Sequence, residues 1–187
     1  MIELFEKYVD WKILALFLKY PTTEFHVKEL ARKIDVSPGS VSNAVRYFEP
    51  FQILKKEEKG LAHLYRLNEE LPLAKHLKLT YTLVRILAHR VVERLLDLDE
   101  SILSIAIYGS YATGEYDEKS DLDILIITPG DKNALTPLLR EVESELGVRV
   151  SPQVLKLHEW QRLSRADKVF HDRVVENHIL LHGAGLI

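Results

Sequence analysis

Trp11, Leu14, Ala15 and Leu18 recur at the three- and four-residue spacing of one helix face and stop at Pro21, which predicts a first long helix. Val27, Leu30, Ala31 and Ile34 repeat the pattern and predict a second. The turn VSPGS follows, with Ser37 suited to an N-cap and Pro38 to a first helical position, so a third helix should begin there. That helix would bury Val41, Ala44, Val45 and Phe48 and turn Ser42, Asn43, Arg46 and Tyr47 outward. The run ILKKEEKGLAHLYRLN then reads as two strands joined by a turn near Lys59 and Gly60.

Helix, helix, short turn, helix and hairpin is the order of a winged helix-turn-helix, and residues 8 to 68 resemble the winged-helix transcription regulators in this pattern. The resemblance implies that the third helix reads a DNA groove while the hairpin lies on the backbone. Carried onto this chain, it assigns Ser40, Ser42, Asn43 and Arg46 to DNA, with Lys55, Lys56 and Lys59 near phosphate.

Beyond Pro72 the apolar positions Leu73, Leu77, Tyr81, Val84, Leu87, Ala88, Val91, Leu95 and Leu96 predict one long linking helix, or two joined near Thr80. The pattern then changes period. SILSIAIY is a short apolar, β-branched run that stops at Gly109 and Ser110, as a buried strand entering a tight turn does. Ten residues later DLDILIIT predicts a second strand, whose period of two sends Asp121, Asp123, Leu125 and Ile127 to one face. A helix at 132 to 146, a strand near 148 to 156, a helix from 159 and a short strand at ILLHG complete an α+β chain.

Two carboxylates on one strand face, at the edge of an apolar core, disfavour each other's charge unless a cation stands between them. Hard oxygen donors at this spacing suit Mg²⁺, which takes its remaining ligands from water and substrate phosphates. Gly109 lets backbone approach a ligand closely, and Ser110 offers a hydroxyl and an N–H to phosphate oxygens.

Gly109-Ser110, ten residues, then Asp121-x-Asp123 on a hydrophobic strand resembles the signature of the DNA polymerase beta nucleotidyltransferase superfamily, especially its minimal nucleotidyltransferase branch. The resemblance spans residues 75 to 185. It implies a small mixed sheet, Gly109 and Ser110 on the triphosphate, and Asp121 and Asp123 as catalytic metal ligands for Mg²⁺ or Mn²⁺. It further implies an NTP substrate, ATP being the expected one, and a hydroxyl acceptor, with a HEPN-type protein as one candidate. The chain departs from that pattern in one respect: the strand GVRVSPQVLKLHEW has no Asp or Glu between Val148 and His158, where a third carboxylate belongs. Ser151 or Gln153 stands in that place, and Glu159 lies just beyond. A nucleotide-sensing or catalytically degenerate transcription regulator is therefore the alternative.

The expected division is residues 1–70 for the winged helix, 71–98 for the linking helix and 99–187 for the nucleotidyltransferase domain. Charge separates the regions: residues 98 to 187 hold 9 Lys plus Arg against 15 Asp plus Glu, so a nucleic-acid footprint over the whole chain is not expected. The absence of cysteine excludes disulfides and thiolate metal sites and fits a cytoplasmic protein. No signal peptide is expected in MIELFEKYVDWKILALF, and no apolar run is long enough to span a bilayer. The linking helix could pair with a second copy of itself, so a homodimer is open. His171, His178 and His182 are spaced to share a helix face, but the strand expected at ILLHG argues against a metal site there.

Overall fold

The computed structural model describes residues 3–59 and 62–186. They divide into two compact units, Met1–Val84 and Arg85–Ile187.

The first unit begins with α1 (Glu3–Lys7) and α2 (Val9–Lys19) and continues through β1 (Phe25–His26), α3 (Val27–Ile34) and α4 (Pro38–Phe48). A single 3₁₀ turn leads into the hairpin β2 (Leu54–Lys59) and β3 (Ala62–Leu67). The strands form a three-stranded antiparallel sheet in the order β1-β3-β2, with Lys56 opposite Tyr65. This is the predicted winged helix-turn-helix. The hairpin tip at Gly60, and the Lys59 side chain, lie outside the described residues.

Ser37 caps α4 as expected, its hydroxyl accepting from the Ser40 N–H at 3.1 Å, with Pro38 in the first turn. Val41, Ala44, Val45 and Phe48 are all buried, as the α4 pattern requires. In α2 the buried stripe is Ile13, Leu14, Phe17 and Leu18, while Trp11 and Ala15 are only half-buried. The expected face was thus misplaced by about one residue. A segment reading ILALFL offers apolar side chains all round, and packing rather than periodicity selects the face.

The helix α5 (Pro72–Ala88) crosses the boundary between the units, and α6 (Val91–Leu98) follows. The helices are separated at Arg90, which adopts a left-handed conformation with φ 50°, and not near Thr80. Lys78 is buried in α5, its Nζ 3.0 Å from Glu69 Oε1, although periodicity marks only its apolar neighbours.

The second unit is built on a four-stranded mixed sheet of β4 (Ser104–Tyr108), β5 (Leu122–Ile127), β6 (Val150–Leu155) and β7 (Ile179–Gly183), in the order β6-β5-β4-β7. Only β5 and β6 are parallel; β4 runs antiparallel to both β5 and β7. Between β4 and β5 lies the short helix α7 (Gly109–Thr113). The crossover from β5 to β6 is α8 (Lys132–Leu146), capped by Asp131 and ended by Gly147 in the left-handed region. Two further helices, α9 (Leu157–Ala166) and α10 (Lys168–Glu176), precede β7. Ala106, Leu125 and Ile127 pack with Trp160 of α9 and Val174 of α10 on one face of the sheet. Ile105, Ile107, Ile124 and Ile126 alternate with them and are fully buried on the other.

Candidate active site

Asp121 stands immediately before β5 and Asp123 is its second residue; both are half-buried with Leu122 buried between them, and the Asp121 charge is close enough to act on Asp123. Strand pairing brings two neighbours to Asp123. Tyr108, the last residue of β4, lies opposite it on one side, and Ser151 of β6 lies opposite it on the other.

Gly109 starts α7 with φ 68°, where a side chain is rarely tolerated, and a Cβ there would collide with the Asp123 carboxylate. The backbone turn therefore closes directly over this acid. Ser110 follows in the first turn of α7, half-buried. Gly109 is thus set against Asp123, with Ser110 next to it in the chain and Asp121 two residues before Asp123.

Burial pushes the Asp123 carboxyl above the ordinary carboxylate value, and the nearby Asp121 charge adds to it, while a hydrogen bond from the Ser151 hydroxyl opposes both. The Tyr108 hydroxyl is pushed up to about 12, by burial first and by the Asp123 charge second. Its ring meets Phe170 of α10 edge-on, with centroids 5.8 Å apart. Asp121 has a cation beside it: Arg149 Nε lies 3.7 Å from its Oδ2. Sequence reading did not single out Arg149. Its only signal was its place two residues ahead of Ser151, which matters once the β5–β6 register is known.

The register also decides between Ser151 and Gln153. Ser151 pairs with Asp123, whereas Gln153 pairs with Leu125, farther along the sheet. Glu159 is elsewhere. Its carboxylate accepts from the Lys156 N–H at 2.8 Å, completing a capping box at the start of α9. That places it beyond the end of β6, past the Leu155–Ile127 pair, about 13 Å along the strand from Asp123 by the usual rise per residue. There it lines a separate cleft of about 750 Å³ with Thr128, Lys132, Gln153 and Lys156. Among the described residues no three acidic or histidine side chains converge to hold a metal ion. The two Asp carboxylates are hard donors of the type Mg²⁺ takes, and such an ion would complete its shell from water and phosphate. The histidines do not assemble: His171 is in α10, His182 in β7, and His178 Nδ1 is 3.0 Å from the Val174 carbonyl.

In the first unit, Asn43 and Arg46 of α4 are exposed, and Ser42 is half-buried. Ser42 lines a groove of about 590 Å³ with His26, Lys28 and Arg32 from the preceding helix region and His63 from the hairpin. The Ser40 hydroxyl is taken up by Ser37 Oγ at 2.9 Å. Two wing lysines have acidic partners: Lys55 Nζ is 2.6 Å from Glu70, and Lys56 Nζ is 3.1 Å from Glu58.

Residues 88–180 match the family model described as "Nucleotidyltransferase domain". This region is a nucleotidyltransferase domain. No match to the chain was found among curated proteins. Among solved structures, a toxin–antitoxin MntA–HpeT mutant is 21% identical with a TM-score of 0.39, covering 51% of this chain and 73% of that one. A putative nucleotidyltransferase from Sulfolobus solfataricus is 24% identical with a TM-score of 0.34, covering 53% of this chain and 79% of that one. The adhesin competence repressor AdcR from Streptococcus pyogenes is 21% identical with a TM-score of 0.38, covering 48% and 64%. Likenesses of this size say nothing of the chain's partners or substrates.

Within the nucleotidyltransferase domain the Ser151 hydrogen bond has a measurable consequence. Ser151→Ala is expected to move the Asp123 carboxyl still further above the ordinary value, because burial and Asp121 then act without the opposing hydroxyl. A carboxyl-carbon NMR titration of Asp123 checks this, and an unmoved midpoint would contradict it. The stability sign follows from the raised value. The folded chain keeps this proton at a pH where the unfolded chain has lost it, so metal-free stability rises as pH falls from the raised value towards the ordinary one. Above that window the full cost of burying the ionised form is present.

Proposed function

We propose that the chain is a divalent-metal-dependent enzyme that transfers a nucleoside monophosphate, AMP being the expected one, from NTP to a hydroxyl acceptor. The observation that supports this most is the pair Asp121 and Asp123 at the start of β5, with the Gly109 turn closed over Asp123, inside a region that matches the nucleotidyltransferase family. The proposed division is a winged helix over residues 1–70, a linking segment over 71–98 and the transfer domain over 99–187.

Asp121 and Asp123 would hold Mg²⁺ or Mn²⁺, which supplies positive charge to the phosphates and to the acceptor oxygen when bound. Gly109, lacking a side chain, leaves the Ser110 N–H and hydroxyl free to approach the triphosphate. The acceptor hydroxyl loses its proton to water as its oxygen forms a bond to the α-phosphorus, the bond to the bridging oxygen breaks, and pyrophosphate leaves. No carboxylate on β6 is placed to take the acceptor proton, and Ser151 can only orient Asp123. A protein of the HEPN type is one acceptor that the family resemblance suggests. Incubation with α-labelled NTP, Mg²⁺ and cell lysate tests the proposal, which predicts label on a macromolecule and pyrophosphate released in equal amount.

One observation favours a second reading. With Ser151 in the place of a third carboxylate and Glu159 committed to a helix cap, the domain could bind NTP without transfer and report it to the winged helix. Nucleotide binding with no pyrophosphate released would select it.

For the first unit we propose contact with duplex DNA through Ser42, Asn43 and Arg46, helped by Lys28 and Arg32, which share the Ser42 groove. Lys55 and Lys56 contribute less, since acidic residues already occupy them. Ser40 acts mainly at the start of α4, and Lys59 adds charge at the wing. The full-length chain is expected to bind duplex DNA with a salt slope of about −0.9 per phosphate neutralised. Replacing Arg32 and Arg46 together by Ala should reduce that slope by about 2, read by fluorescence anisotropy across a salt series. Salt-independent binding, or none at micromolar protein, would remove the DNA role.

A further inference from the structure

β6 offers the aspartate pair no carboxylate, but it does offer a guanidinium. Arg149 immediately precedes β6, two residues before Ser151, and the two residues divide the pair between them: Arg149 reaches Asp121, while Ser151 donates to Asp123. The Arg149 side chain is 77% exposed, and its Nε stands 3.7 Å from Asp121 Oδ2, too far for a good hydrogen bond. Exposed pairs of this kind contribute little to folding. The contact is therefore poorly explained as a structural tie.

It is better explained by what Asp121 needs. Two aspartates at one strand start call for positive charge, and among the described residues Arg149 supplies it beside Asp121. A divalent cation would compete for the same carboxylate oxygen. Once displaced, the guanidinium would remain within side-chain reach of the phosphoryl group held at that cation, and its flat fork of N–H donors matches phosphate oxygens. Its side of the sheet matters too. Gly109 and Ser110 follow β4, which flanks β5 on one side, while Arg149 leads into β6 on the other. Phosphates held by the Gly109 turn and an arginine arriving from β6 would meet the nucleotide from opposite sides.

We propose that Arg149 is a substrate-binding residue: it pairs with Asp121 in the metal-free chain and turns onto the nucleotide's phosphate oxygens when a divalent cation takes that carboxylate. The proposal rests on the nucleotidyltransferase reading above, and it predicts two effects of opposite sign. In Arg149→Met, Mn²⁺ alone should bind about 2- to 5-fold more tightly, the range set by losing one exposed competing charge. Mn²⁺ with a non-hydrolysable α,β-methylene ATP should bind about ten-fold more weakly or worse, as expected for a lost charge-assisted phosphate contact. Arg149→Lys should fall between the two, since it keeps the charge and loses the fork.

The experiment measures Mn²⁺ affinity by electron paramagnetic resonance and nucleotide affinity by calorimetry, on full-length wild type and both variants. Tighter metal together with weaker nucleotide supports the proposal, since a merely structural arginine would move both affinities the same way. If wild type binds metal and nucleotide and Arg149→Met changes neither, or weakens both equally, the role of Arg149 is overturned while the site reading stands. If wild type binds Mn²⁺ but never the nucleotide, the nucleotidyltransferase reading fails and carries this proposal with it.

Discussion

Replacing Asp121 and Asp123 together by Asn is expected to lower nucleotidyl transfer by at least about 1,000-fold while leaving the fold in place. Losing one group that stabilises transition-state charge typically costs about 100- to 1,000-fold, and here both metal-binding carboxylates are lost at once. The folded state should not suffer. The Asp123 carboxyl is already driven towards its neutral form by burial and by the Asp121 charge, so an uncharged side chain of the same shape removes an unfavourable burial. Among the described residues, the ion pair lost is the exposed contact from Arg149 to Asp121. Thermal unfolding of the metal-free double variant should therefore match or exceed wild type. The stabilising effect of added Mg²⁺ with nucleotide, which for a site at 100 times Kd is about 2.7 kcal/mol, should vanish. Full turnover in a correctly folded double variant would remove the mechanism.

The second large effect belongs to a residue without a side chain. Gly109→Ala is expected to reduce transfer by about 100-fold or more, since a displacement of about 1 Å at a reacting group can cost that much. Two causes act together. At φ 68° an alanine carries a backbone penalty of about 1–2 kcal/mol, and its Cβ would strike the Asp123 carboxylate. Asp123 must then shift, taking the Ser151 hydrogen bond with it. Steady-state kinetics with thermal unfolding separates the two costs: the backbone penalty lowers the unfolding temperature, while displacement of the carboxylate lowers kcat. Gly39, whose added Cβ would meet only Ser37 Oγ at 3.7 Å, is the control, and Gly39→Ala should leave transfer unchanged. Wild-type kinetics in Gly109→Ala would show that the turn does not shape the site.

Much of this site could be read in the sequence because the features that build it are local. The run DLDILIIT placed both aspartates at the start of a buried strand, and the abrupt end of SILSIAIY at Gly109 marked the tight turn. The helix expected at 132 to 146 is α8, which the structure shows capped by Asp131 and ended by Gly147. Properties set by register were not. That Ser151 rather than Gln153 stands beside Asp123, and that Arg149 reaches Asp121, depends on how β6 slides against β5. The fate of Glu159 required knowing that its carboxylate turns back to the Lys156 N–H. In the first unit the apolar face of α2 was misplaced because its sequence is apolar nearly all round. The break at Arg90 carries neither glycine nor proline to announce it.

The role proposed for Asp121 and Asp123 requires that a phosphorus–oxygen bond be broken at this pair. Pyrophosphate release from ATP, followed with full-length protein, Mg²⁺ and lysate as the acceptor source, measures this directly. Release is expected to stop on chelation, to be matched by AMP label on an acceptor, and to be absent from the Asp121→Asn, Asp123→Asn double variant. No release by wild type, with ATP bound and Mg²⁺ in excess, would contradict it and leave a domain that binds nucleotide without transferring it.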